Sequence, residues 1–106
     1  MYNLAKPKIK PFAFEKSLKT GDKASIQCEL SDGSLPVTFH WLKDGHRYIG
    51  DEATKIITED DFSQIRFKSI SGKDIGNYTC SASNSHGMDS FTALLIVKSE
   101  WFSYDC

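Results

Sequence analysis

Asp74-Ile75-Gly76-Asn77-Tyr78-Thr79-Cys80 is the stretch whose reading decides the fold. Gly76 permits a turn conformation that a Cβ resists. Beyond it, Tyr78, Cys80 and Ala82 alternate with polar residues, the period of a strand with one face on a core. The same period recurs upstream. Ala24, Ile26, Cys28 and Leu30 alternate with Lys23, Ser25, Gln27 and Glu29, and Val37, Phe39 and Trp41 alternate with Thr38, His40 and Leu42. Asp44-Gly45 is a hairpin signal, leading to a short strand around Arg47-Tyr48-Ile49. Thr54 to Thr58 reads as another short strand. Ile65 and Phe67 point inward between outward Gln64, Arg66 and Lys68, and Ala93, Leu95 and Val97 point inward near the end. Short alternating runs bounded by turn residues predict an all-β domain.

Taken together, Cys28, Trp41 and the stretch from Asp74 to Cys80 form Cys…Trp…Asp-x-Gly-x-Tyr-x-Cys, a pattern that resembles the immunoglobulin superfamily. The resemblance implies a two-sheet immunoglobulin-like sandwich with an inter-sheet disulfide between Cys28 and Cys80. Trp41 then packs on that bridge, and the Tyr78 hydroxyl turns back onto the backbone. Asp74 has a structural role at the E–F corner, in the family's strand lettering, with Arg66 and Lys55 as its candidate basic partners. Two reduced, buried thiols are the alternative state of the cysteine pair. The Trp-to-Cys segment has room for a C′ strand but not for C″, which points to the I-set variety. Pro7 to Phe14 reads as strand A at a sheet edge, where proline is tolerated, with a kink at Pro11 that carries the chain toward the other sheet.

The chain has 106 residues, of which 40% are hydrophobic and 25% charged, enough to bury the core of one domain. A net charge of −1 leaves no electrostatic footprint for nucleic acid or an anionic membrane. The longest apolar run, Ala93-Leu94-Leu95-Ile96-Val97, is strand-sized and too short to span a bilayer. Residues 1–6 are expected to be a disordered lead-in or an added expression start, residues 7–98 the I-set domain, and residues 99–106 a linker or appended tail. Cys106 has no partner in sight; a terminal scar, a free thiol and an intermolecular link all stay open.

No catalytic constellation is present, and the chain is expected not to be an enzyme. His40, His46 and His86 lack carboxylate or cysteine neighbours at ligand spacing. Glu59-Asp60-Asp61 reads as a solvated turn rather than a calcium loop, and Gly72-Lys73 lacks the glycine loop of a phosphate cradle. No metal and no cofactor are expected. Asn77-Tyr78-Thr79 is an acceptor sequon, so Asn77 is a glycosylation site if the chain is secreted.

Lys8-Ile9-Lys10-Pro11-Phe12-Ala13-Phe14, Gly21-Asp22, Leu35-Pro36 and Trp41-Leu42-Lys43-Asp44-Gly45 look like a Dscam-type domain. They are most similar to the seventh immunoglobulin domain of those adhesion receptors and the first domain of the shortened arthropod forms. The resemblance implies an extracellular recognition module in the ectodomain of a single-pass receptor. Its partner is an identical domain on an apposed molecule, with adjacent immunoglobulin domains in the parent chain, and isoform differences set specificity. The implied homophilic interface is the outer face of the A–B–E–D sheet: Lys23, Ser25, Gln27, Glu29, Gln64, Arg66 and Lys68, with Lys8, Lys10, Lys55 or Ile57 contributing. A competing patch is Leu42, Leu94 and Ile96 on the opposite sheet, beside Tyr48 and His40. Two other functions fit the fold, an intracellular structural domain of the muscle-filament kind and a receptor module for a different protein.

Overall fold

A computed structural model describes residues 4–98; the expectations for residues 1–3, the tail at 99–106 and Cys106 lie outside the described residues. The strands are β1 (Lys8–Ile9), β2 (Ala24–Asp32), β3 (Thr38–Lys43), β4 (His46–Arg47), β5 (Thr54–Thr58), β6 (Phe62–Phe67), β7 (Gly76–Asn84) and β8 (Gly87–Leu95). They form two four-stranded antiparallel sheets, ordered β1-β2-β6-β5 and β4-β3-β7-β8. In the family lettering these are A-B-E-D and C′-C-F-G. After β1 the chain crosses between the sheets, and Lys19 bridges Lys98 in parallel beyond the end of β8.

Alternation does the sorting. Ile26, Cys28, Ile65 and Phe67 from one sheet meet Trp41, Tyr78, Cys80, Ala82, Ala93 and Leu95 from the other, all buried. Cys28 and Cys80 are disulfide-bonded with Cα atoms 6.3 Å apart. Closing so long a loop contributes roughly 4 kcal/mol by restricting the unfolded chain. Trp41 is directly opposite Cys80 in the ladder, and its indole Nε1 donates to Ser63 Oγ at 2.8 Å. Ser63 is opposite Cys28, so the indole hydrogen bond links the two sheets beside the disulfide. Phe12 packs edge-on against Trp41 and Phe91, and Phe14 against Tyr78.

At the end of the sandwich a 3-10 turn, Gly72–Asp74, precedes β7. The Tyr78 hydroxyl donates to the Asp74 carbonyl at 2.6 Å. Burial pushes that hydroxyl well above the ordinary tyrosine range, so it stays a donor. Asp74 Oδ2 accepts from the Ser71 N–H, and Oδ1 faces Lys73 Nζ at 3.2 Å. Lys73 is therefore the basic partner of Asp74, in place of the expected Arg66 or Lys55. Those two are cross-strand neighbours on the outward side of the other sheet, and Arg66 Nε donates to Gln64 Oε1 instead.

The hairpin Asp44-Gly45 takes positive φ at both residues, 51° and 84°, the turn that matches strand twist. Its aspartate is locked to β7: Asp44 N–H donates to the Asn77 carbonyl at 2.8 Å, and Asp44 Oδ1 accepts from Asn77 N–H at 2.9 Å. This explains Gly76. A Cβ there would lie 2.6 Å from Asp44 Oδ2, at a φ of 157°. Two further contacts depart from the sequence reading. Ala5, expected in the frayed lead-in, exchanges hydrogen bonds with Ser34 and accepts one from Asn84 Nδ2. Tyr48, expected beside the outer apolar patch, lies edge-on against Tyr78 with its hydroxyl buried.

Tyr78→Phe keeps the ring packing and strands the Asp74 carbonyl. It is expected to lower unfolding free energy by about 1–3 kcal/mol, read as a lower denaturant midpoint at unchanged m-value. Gly76→Ala should destabilise by a similar ~1–3 kcal/mol, and pairing it with Asp44→Gly should recover part of that loss in a double-mutant cycle.

Candidate recognition surface

The outward side of the β1-β2-β6-β5 sheet is a set of cross-strand rows. Ser25, Arg66 and Lys55 form one, and Gln27, Gln64 and Ile57 the next. Glu29 is opposite Phe62 in the row beyond. Lys23 and Lys68 each lie one residue outside the Ala24–Phe67 pair at the other end. Every residue assigned to this face from the sequence is at least partly exposed, and the register brings them together.

Charge along the face is sorted by position. Lys23, Lys55, Arg66 and Lys68 cluster at one end around an open groove of about 630 Å³, also lined by Ile49, Asp51 and Glu52. Asp51 is drawn off to Lys73, at 3.2 Å, and its carboxyl is held below the ordinary range chiefly by the Ala53 N–H. No ion pair among the described residues involves the four cations of the cluster. At the other end the exposed β5–β6 turn carries Glu59, Asp60 and Asp61. Glu29 belongs to that end but faces Lys10 Nζ at 3.6 Å, which partly neutralises it. Ile57 and Phe62, both half-buried, lie between the charged ends.

Phe62, and the place of the acidic turn at the end of this face, are what reading the sequence missed. The signal for Phe62 was available, because it shares the even-numbered parity of Gln64, Arg66 and Lys68; starting the strand at Gln64 hid it. The turn's position at the end of the face depends on β5–β6 pairing, which no local pattern reports.

The opposite sheet presents different chemistry. Its outward rows are Thr38–Ser83–Met88, His40–Ser81–Ser90 and Leu42–Thr79–Thr92, followed by Asn77 opposite Leu94. Leu94 and Ile96 are 51% and 58% exposed. Leu42 is only partly exposed, a row away from Leu94, so the expected apolar patch is a narrow strip along one edge. Among the described residues no group of three or more His, Cys, Asp or Glu is placed to hold a metal ion, and no helix is long and apolar enough to cross a membrane.

A family model described as "Immunoglobulin domain" matches residues 6–84. The chain belongs to the immunoglobulin domain family. Among curated relatives it is 36% identical over 92 residues to the cell adhesion molecule DSCAML1 of Gallus gallus, covering 87% of this chain and 4% of that protein. It is also 36% identical over 93 residues to the cell adhesion molecule Dscam2 of Drosophila melanogaster, with the same coverage. The chain thus spans a small fraction of these relatives' length. Among solved structures, the Dscam1 Ig7 domain, isoform 5, superposes with a TM-score of 0.83 at 27% identity, covering 88% of this chain and 97% of that one. A titin I-band fragment, I67-I69, reaches 0.81 at 26% identity, covering 92% of this chain and 34% of that one. The likeness to Dscam-type domains is therefore present in both sequence and structure, and the module is of the kind found in cell adhesion molecules.

Lys55, Gln64 and Lys68 lie outside the core, so Lys55→Glu, Gln64→Lys and Lys68→Glu are each expected to shift stability by less than about 0.5 kcal/mol. Thermal unfolding of the three single variants checks this; a larger loss would place the residue in the core's support.

Proposed function

We propose that this domain is an extracellular adhesion module that binds a second copy of itself through the outer face of the β1-β2-β6-β5 sheet. The observation that carries the reading is the separation of charge along that face. In a two-fold antiparallel contact each patch meets its own inverse. The Lys23, Lys55, Arg66 and Lys68 end of one copy then meets the Glu59, Asp60 and Asp61 turn of the other, twice. The contact centres near the Gln27–Gln64–Ile57 row, where the amides and apolar side chains lie. Successive outward rows are about 7 Å apart, so the two charged ends lie at similar distances from that centre. A face this narrow belongs with small, transient interfaces. Its charges steer encounter and reject wrong partners more than they supply affinity.

The disulfide supports an oxidising, extracellular setting. The likeness to titin favours a second reading, a mechanical spacer, for which the outer face is simply solvated. The same experiment separates the two.

A variant with Lys23→Glu, Lys55→Glu and Lys68→Glu has acidic character at both ends of the face; one with Glu59→Lys and Asp61→Lys has basic character at both. Sedimentation equilibrium with Cys106→Ser as background is expected to show weak, salt-sensitive dimers for the parent. Neither variant alone should self-associate, and an equimolar mixture should restore a dimer. A parent that stays monomeric at high concentration, or a mixture that fails to pair, overturns single-domain self-recognition through this face.

A further inference from the structure

Asn77 lies on the opposite sheet from the proposed interface. Its backbone is held twice by Asp44, while its side-chain amide is exposed and makes no hydrogen bond among the described residues. Directly across the ladder is Leu94, 51% exposed, and beyond the end of β8 is Ile96, 58% exposed. Cross-strand neighbours lie about 5 Å apart, so a group joined to the Asn77 amide starts beside this apolar strip.

We propose that Asn77 carries an N-linked glycan whose first sugars cover Leu94 and Ile96 and so mask the apolar strip of the β4-β3-β7-β8 sheet. Three observations carry this. The sequon Asn77-Tyr78-Thr79 places acceptor and hydroxyl residue on the same outward face. The acceptor amide is free. The strip next to it is apolar, and an N-acetylglucosamine presents apolar C–H faces and an acetyl methyl that suit it. The donor is a polyprenyl-diphosphate-linked oligosaccharide of the secretory route. The Asn77 amide nitrogen bonds to its anomeric carbon, the carbon–oxygen bond to diphosphate breaks, the lipid diphosphate leaves, and the amide proton passes to a base on the transferase. Thr79 Oγ1 lies 2.7 Å from Thr92 Oγ1 in the folded domain. The inference rests on the extracellular part of the proposed function and not on self-association.

The test is secretion of the full chain from an animal cell line behind a leader, with Asn77→Gln as reference. Intact mass is expected to carry one glycan that peptide N-glycosidase removes and that the variant lacks. Hydroxyl-radical footprinting should then show several-fold less oxidation at Leu94 and Ile96 in the glycosylated protein than in Asn77→Gln, with Ile57 on the other sheet unchanged. An unmodified mass overturns the site. A glycosylated protein with undiminished oxidation at Leu94 overturns the covering role. Neither readout depends on dimer formation, so failure here is distinct from failure of homophilic binding.

Discussion

The covalent tie between Cys28 and Cys80 is the constraint on which the rest depends. It joins β2 to β7 through the middle of the sandwich, and its surroundings hold register on both sides. Trp41 is paired with Cys80 and hydrogen-bonds Ser63, which is itself paired with Cys28. Any slip of one residue in β2, β3, β6 or β7 would break that link and turn an apolar row to water. The Tyr78–Asp74 hydrogen bond and the Asp44 clasp on Asn77 repeat the same logic farther along β7. A surface built on strands so fixed presents its outward side chains at set spacings, and a recognition face needs that.

Period-two alternation made most of this legible in the sequence. Residues such as Ile26, Ile65 and Leu95 could face only inward, and so Ser25, Gln64 and Leu94 could face only outward. What stayed hidden depends on neighbours distant in sequence. The partner of Asp74 was sought among strand residues, yet it is the adjacent Lys73, because the 3-10 turn folds both over the same corner. Tyr48 falls outside any alternating run; the hairpin swings it under Tyr78. Ala5 looked like frayed chain because nothing local announces that Ser34 and Asn84 wait for its backbone. The charge separation on the face was hidden for the same reason. Each strand shows only one or two charges, and the two ends emerge when β2, β5 and β6 are laid side by side.

The two outer faces follow different physics. On one, long cations and carboxylates flank a small apolar centre; such groups cost little to expose and discriminate between partners by repulsion as much as attraction. On the other, threonine and serine rows separate the exposed Met88 from an apolar strip at Leu94 and Ile96, too narrow for an extensive dry interface but costly to leave bare beside a second copy. A sandwich with both faces open to protein would have two ways to associate and no fixed geometry. A hydrated carbohydrate over the strip removes one of them.

This division also accounts for how a single fold can carry many specificities. The inward set, with Cys28, Trp41, Tyr78 and Ile65 at its centre, is close-packed and intolerant of change in volume. The outward set on β2, β5 and β6 is decoupled from it by the pleat, so exchanging Lys55, Gln64 or Lys68 rewrites the face without disturbing what holds it. Self-recognition adds one further condition. A substitution on the face appears twice in a two-fold contact, so a new charge at one end requires its complement at the other end of the same chain. Variation that preserves homophilic binding must therefore be paired across the Gln27–Gln64–Ile57 row, whereas variation that only preserves the fold has no such coupling.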